Sequence, residues 1–113
     1  MKVGNKRVVH GLISYNKAVR DRIPEIIQAD GKKCSYKALP DDQFLVELEK
    51  KLGEELDEYR KSGEVMELVD ILEIIYRIAE LKNTPESVLE SLREKKKNER
   101  GGFSRNLFLI ESE

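Results

Sequence analysis

The chain has 113 residues, 39% of them hydrophobic and 38% charged, which suffices for one domain with a single hydrophobic core. Its 21 basic and 22 acidic residues leave a formal net charge of -1, so nothing global attracts a nucleic-acid polymer or an anionic membrane, and any basic patch has to be local. The single cysteine, Cys34, excludes an internal disulfide framework, and the single histidine, His10, disfavours triad chemistry and histidine-based zinc sites.

Residues 1–14 form an N-terminal arm with two apolar patches, Val8-Val9 and Leu12-Ile13, separated by His10-Gly11; the patches suit either a strand or a loosely held segment. This start lacks the sustained apolar core of a signal peptide, and no run further along is long enough to span a bilayer, so the expected compartment is cytoplasmic, with no membrane partner. Residues 15–113 are expected to form the helical domain. AVRDRIPEIIQADGKK predicts a short first helix, with Pro24 in its first turn, where the missing N–H is harmless, and Gly31 near its end. Pro40-Asp41-Asp42 opens a second helix, with either aspartate a candidate N-cap, and Arg60 and Lys61 suit its negative C-terminal end.

Ser62-Gly63 breaks that helix, and a third is expected from about Glu64 to Leu81. Thr84-Pro85 predicts a fourth start, with Thr84 as cap, and Gly101-Gly102 its stop. The tail FSRNLFLIESE is apolar enough to dock back on the domain as a short strand. The expected fold is therefore all-α: a small bundle of about four helices around a central antiparallel hairpin, completed by oligomerisation.

The second and third helices carry an unusual set of acids. At about 100° per residue, Leu45, Leu48, Leu52, Leu56 and Tyr59 form one stripe; Glu55 falls inside its edge, Glu58 at its margin, and Glu54 nearly opposite. The third helix is apolar around more than half its circumference, which predicts a central, mostly buried helix. Its polar strip is Asp70, Glu73, Arg77 and Glu80, whereas Glu67 lies among Ile71, Ile74 and Ile78, where a carboxylate demands a partner.

If the two helices pack antiparallel about Ser62-Gly63, Glu58 opposes Glu67 and Glu55 opposes Asp70. Four acids at one level repel unless cations hold them, and an all-oxygen set suits a hard cation such as Mg²⁺. A single ExxE pair in so charged a chain is ordinarily a solvated face; two pairs mirrored across a tight turn, with Glu55 and Glu67 on apolar faces, favour the metal. Lys95, Lys96, Lys97 and Arg100 crowd the end of the fourth helix, with Lys96 in the direction of Leu89 and Leu92 and so expected to lean inward. With Lys17, Arg20 and Arg22 they supply the cations that a polyphosphate needs beside a carboxylate-bound metal.

EELDE followed by ELVD resembles the EExxE…ExxD signature of the MazG-like, all-α nucleoside triphosphate pyrophosphohydrolases. NKAVRDRIPEII is similar to an N-terminal K-L-V-R-D-K-I-P-E-I-I segment, and KKKNERGGF to a terminal K-x-x-x-R-G-G-F, of a small phosphoribosyl-ATP-pyrophosphohydrolase-like subgroup. The likeness runs from about Tyr15 to Leu109, with Ala18 in place of the usual Leu and only eight residues between Glu58 and Glu67. It implies Mg²⁺, with Mn²⁺ as a substitute, on Glu55, Glu58, Glu67 and Asp70, and phosphate contacts from Lys96 and Arg100. Lys17 and Arg20 join them as substrate-binding residues, and Glu55 orients or deprotonates the attacking water.

The implied reaction is hydrolysis of a nucleoside triphosphate or related nucleotide to the monophosphate and pyrophosphate, by a homodimer or homotetramer. Phosphoribosyl-ATP hydrolysis, a non-catalytic Mg²⁺-nucleotide-binding module, and a purely structural charged surface stay open beside it. The base is not legible in the residues.

Overall fold

A computed structural model of the chain describes residues 7–9 and 12–113; the first six residues and His10-Gly11, including the lone histidine, lie outside the described residues. The fold is a small all-α bundle with a short hairpin at its start. Strands β1 (Arg7–Val9) and β2 (Leu12–Ser14) pair antiparallel, with Val8 opposite Ile13, so the strand alternative for this segment holds where it is described.

Helix α1 spans Ile23–Ala29, with Pro24 in its first turn. It ends in a Schellman arrangement: Gly31 adopts φ 78°, the Gly31 N–H donates to Gln28 O and the Lys32 N–H to Ile27 O. Helix α2 runs over Asp41–Ser62 and α3 over Val65–Leu81. Between them Gly63 sits at φ 66° and donates its N–H to Tyr59 O at 2.7 Å, while the Ser62 hydroxyl accepts from the Glu64 N–H. The left-handed residue reverses the chain within two positions and folds α3 back along α2, the dominant helix packing of the molecule. Helix α4 covers Glu86–Arg100 and, among the described elements, packs against α3 alone.

Both expected side-chain caps are replaced. Pro40 and Pro85 occupy the N-cap positions, Asp42 accepts only from its neighbour Gln43, and Thr84 donates backwards to Lys82 O. A proline preset in extended geometry places the chain for the first turn without a side-chain hydrogen bond.

The core is small. Ala18, from the loop before α1, packs with Leu48 of α2 and Ile74 of α3, ringed by Phe44, Leu52, Ile78 and Leu81. Loop residue 18 therefore seals the open side of the hairpin, and the N-terminal motif is held on the same face as the acids. The expectation of a mostly buried α3 is overturned within one chain: Val65, Leu68, Val69, Leu72 and Ile75, at helical spacing on the face away from Ile74, are exposed. Helix α4 has no buried residue. The segment after it does not dock as a strand but runs on without regular structure, its large apolar side chains exposed. A radius of gyration of 18.1 Å measures the result, against roughly 13 Å for a compact domain of this length.

Candidate metal centre

The antiparallel hairpin sets the site. Glu55 lies two turns before the end of α2 and Glu67 and Asp70 lie in the first turns of α3, so the turn at Gly63 places them at one level. Carboxylate oxygens of these three residues all fall within 4.8 Å of one another. Glu55 and Glu67 are 5% and 4% exposed, the only buried polar residues among those described, while Asp70 is half-buried and opens the site towards solvent. Glu58, the fourth predicted acid, is half-buried and outside this trio.

Two ionised carboxylates at such a separation repel by about 3 kcal/mol per pair at an effective dielectric of ~20. Burial makes the arrangement costlier still, because Glu55 Oε2 has no solvent contact and, among the described residues, no hydrogen-bond partner. A divalent cation removes both costs. Adjacent oxygens of an octahedral Mg²⁺ shell stand about 3.0 Å apart and opposed ones about 4.2 Å, given metal–oxygen distances of ~2.1 Å, so the trio, within 4.8 Å, would close by up to about 2 Å to supply adjacent ligands. All donors are hard oxygens, with no His or Cys among them, which fits Mg²⁺ or Mn²⁺ rather than zinc.

The cations of the N-terminal motif reach this region. Arg20 donates to Asp70 Oδ1 at 2.7 Å, so one guanidinium faces the solvent side of the trio. The Lys17 ammonium pairs with Glu54, and its side chain is only 9% exposed. Glu54 is outside the trio but not idle: it receives the buried lysine and ties the loop before α1 to α2. These two pairs link positions 37 and 50 apart in sequence, which no helical periodicity can reveal. The grouping of Lys17, Ala18 and Arg20 within one short stretch was the available signal.

Lys96 does not lean inward. It is exposed, as are Lys95, Lys97 and Arg100, because α4 leaves α3 after the contact between the Tyr76 hydroxyl and Glu90. The wheel direction shared with Leu89 and Leu92 meets no neighbour among the described residues that buries Lys96. At that junction the Tyr76 phenol is raised above its ordinary pKa, first by desolvation and then by the charges of Glu90 and Glu86.

No family model and no solved structure matches the chain. A stretch of 42 residues is 48% identical to an uncharacterized protein of Mycolicibacterium smegmatis, covering 37% of this chain and 43% of that protein. The chain thus aligns with less than half of the length of that relative. No helix among the described residues is long and apolar enough to cross a membrane.

Proposed function

We propose that the chain is a Mg²⁺-dependent nucleotide pyrophosphohydrolase that cleaves a nucleoside triphosphate, or a related nucleotide such as phosphoribosyl-ATP, to the monophosphate and pyrophosphate. The observation behind this reading is the trio Glu55, Glu67 and Asp70, gathered from two helices with a buried Glu55 oxygen that no group of the described residues satisfies. The resemblance of the acidic, N-terminal and R-G-G-F motifs to MazG-like enzymes supports the same reading.

Glu55, Glu67 and Asp70 would hold the cation, with Glu58 one turn nearer the hairpin as a further ligand. The bound ion supplies charge neutralisation for phosphate oxygens and lowers the cost of forming hydroxide at neutral pH. The chain's own groups do the rest. Glu55 accepts the proton of the attacking water as it approaches the α-phosphorus, and the P–O bond to the departing pyrophosphate breaks in line. Arg20, already at the solvent side of the trio, turns from Asp70 to phosphate oxygens, which a planar guanidinium binds in bidentate fashion. Lys17 stays with Glu54 and positions the loop. Lys96 and Arg100 neutralise pyrophosphate when α4 is brought against the site in a homodimer or homotetramer whose helix pairs complete four-helix bundles.

The test is pyrophosphate release from a panel of common and damaged nucleoside triphosphates and phosphoribosyl-ATP, with Mg²⁺ and with Mn²⁺. Glu67→Gln and Asp70→Asn are expected to abolish release while leaving the helical circular dichroism intact; full activity in both variants refutes the reading. Saturable Mg²⁺-nucleotide binding without any product over hours would instead identify a binding module.

A further inference from the structure

Two features of the surface have no role in the carboxylate centre. One is the segment after α4, where Phe103, Leu107, Phe108, Leu109 and Ile110 are between 76% and 96% exposed. The other is a strip along the outer face of α2, made of Val46, Glu49, Gly53, Leu56, Asp57 and Arg60, all exposed. Gly53 is its oddity: a glycine in the middle of a long helix weakens it relative to alanine, yet a Cβ there would meet nothing within 4 Å in the same chain. The open space at that position suits a close backbone approach from outside the chain.

We propose that the C-terminal segment Phe103–Ile110 is an arm that crosses to a second copy of this chain and lies along the Val46–Gly53–Leu56 strip of that copy's α2. Length and charge give the register. With the turn that the Asn106 N–H closes on Phe103 O opened, and Asn106 drawn out of its left-handed φ of 55°, Arg105 to Glu111 spans roughly 20 Å, and Glu49 to Arg60 on a helix spans roughly 17 Å. Setting Arg105 against Glu49 and Glu111 against Arg60 therefore brings both charge pairs together and lays Leu107 over Gly53, where the missing side chain lets the strand-like backbone descend. Val46 and Leu56 then receive apolar side chains on either side of the notch.

The arm belongs to another copy because α4 packs on α3 and not on its own α2, and the chain is already far more extended than a closed domain. The large apolar residues on the facing side, Phe103, Leu107 and Leu109, offer on the order of 450 Å² per arm, and because each copy gives one arm and receives another, the area approaches the ~800 Å² that each partner contributes to a stable interface. The broad α3 ridge of Val65, Leu68, Val69, Leu72 and Ile75 is left for helix-on-helix packing in the same dimer.

The arm rests on the reading that copies associate, and the experiment separates the two. Full-length chains with Cys34→Ser plus Gly53→Cys are mixed with chains carrying Cys34→Ser plus Leu107→Cys and oxidised mildly, and the wild type is sized by sedimentation at tens of micromolar. The expected result is a dimer or larger assembly, a disulfide joining the two different chains, and at least a tenfold rise in the dimer dissociation constant for Leu107→Ser with Leu109→Ser, the apolar pair that faces the partner in this register. A dimer that forms no 53–107 cross-link overturns the arm but not association. A monomeric wild type overturns both, and a monomer that binds vesicles of anionic lipid through Phe108 and Ile110 assigns the segment to a membrane surface instead.

Discussion

Replacing Glu55 by Gln separates the electrostatic cost of the trio from its ability to bind a cation. Without divalent ions, the substitution removes one of three mutually repelling carboxylates and gives Glu67 and Asp70 an amide donor in place of a charge. Each repulsive pair costs about 3 kcal/mol at separations up to 4.8 Å. Arg20 already offsets part of the Asp70 charge at 2.7 Å, and Asp70 is half-exposed, so a net gain of about 1–2 kcal/mol is expected. For a domain of this size that raises the melting temperature by about 4–8 °C in chelator.

With Mg²⁺ at about a hundred times its dissociation constant, the wild type gains about 2.7 kcal/mol by mass action, and the variant, lacking a ligand, gains far less. The order of stabilities should therefore invert on adding Mg²⁺. Thermal unfolding followed by circular dichroism, at one fixed protein concentration, reads both limbs. A Glu55→Gln chain that melts below the wild type in chelator, together with equal Mg²⁺ shifts in the two proteins, would refute the assignment of the trio as a cation site.

Other substitutions probe the supports of the site. Lys17→Ala should cost about 1–3 kcal/mol in denaturant titrations, because a nearly buried ammonium and its stem are lost from the seam between loop and α2, whereas Arg20→Ala, at a half-exposed pair, should cost less than about 1 kcal/mol. If Arg20 also engages phosphate, its removal should raise KM for the nucleotide far more than that stability change suggests. Gly63→Ala should destabilise by about 1–2 kcal/mol, since φ 66° is strained for any residue with a Cβ, although the space around it is open. Lys96→Ala with Arg100→Ala should weaken pyrophosphate inhibition at least tenfold at low salt without changing the melting temperature by more than about 2 °C, because both side chains are exposed.

Local chemistry was enough to read the helices from the residues. Pro24, Pro40 and Pro85 start helices, Gly31, Gly63 and Gly101 end them, and the 3.6-residue period on α2 and α3 placed Glu55 and Glu67 on apolar faces, where they are buried. These signals act over a few residues and need no knowledge of the rest of the chain. The short turn extended that reach to the opposition of Glu55 and Asp70, since a two-residue reversal fixes the register of an antiparallel pair.

Tertiary structure alone decided which groups meet across long stretches of sequence: Lys17 with Glu54, Arg20 with Asp70, and Ala18 against Leu48 and Ile74. It also decided that the outer face of α3, the end of α4 and the segment after it find no cover among the described residues of one chain. Apolar periodicity states that a face should be buried, but it does not say by what, because hydrophobic burial is non-directional and a second copy serves as well as the same one.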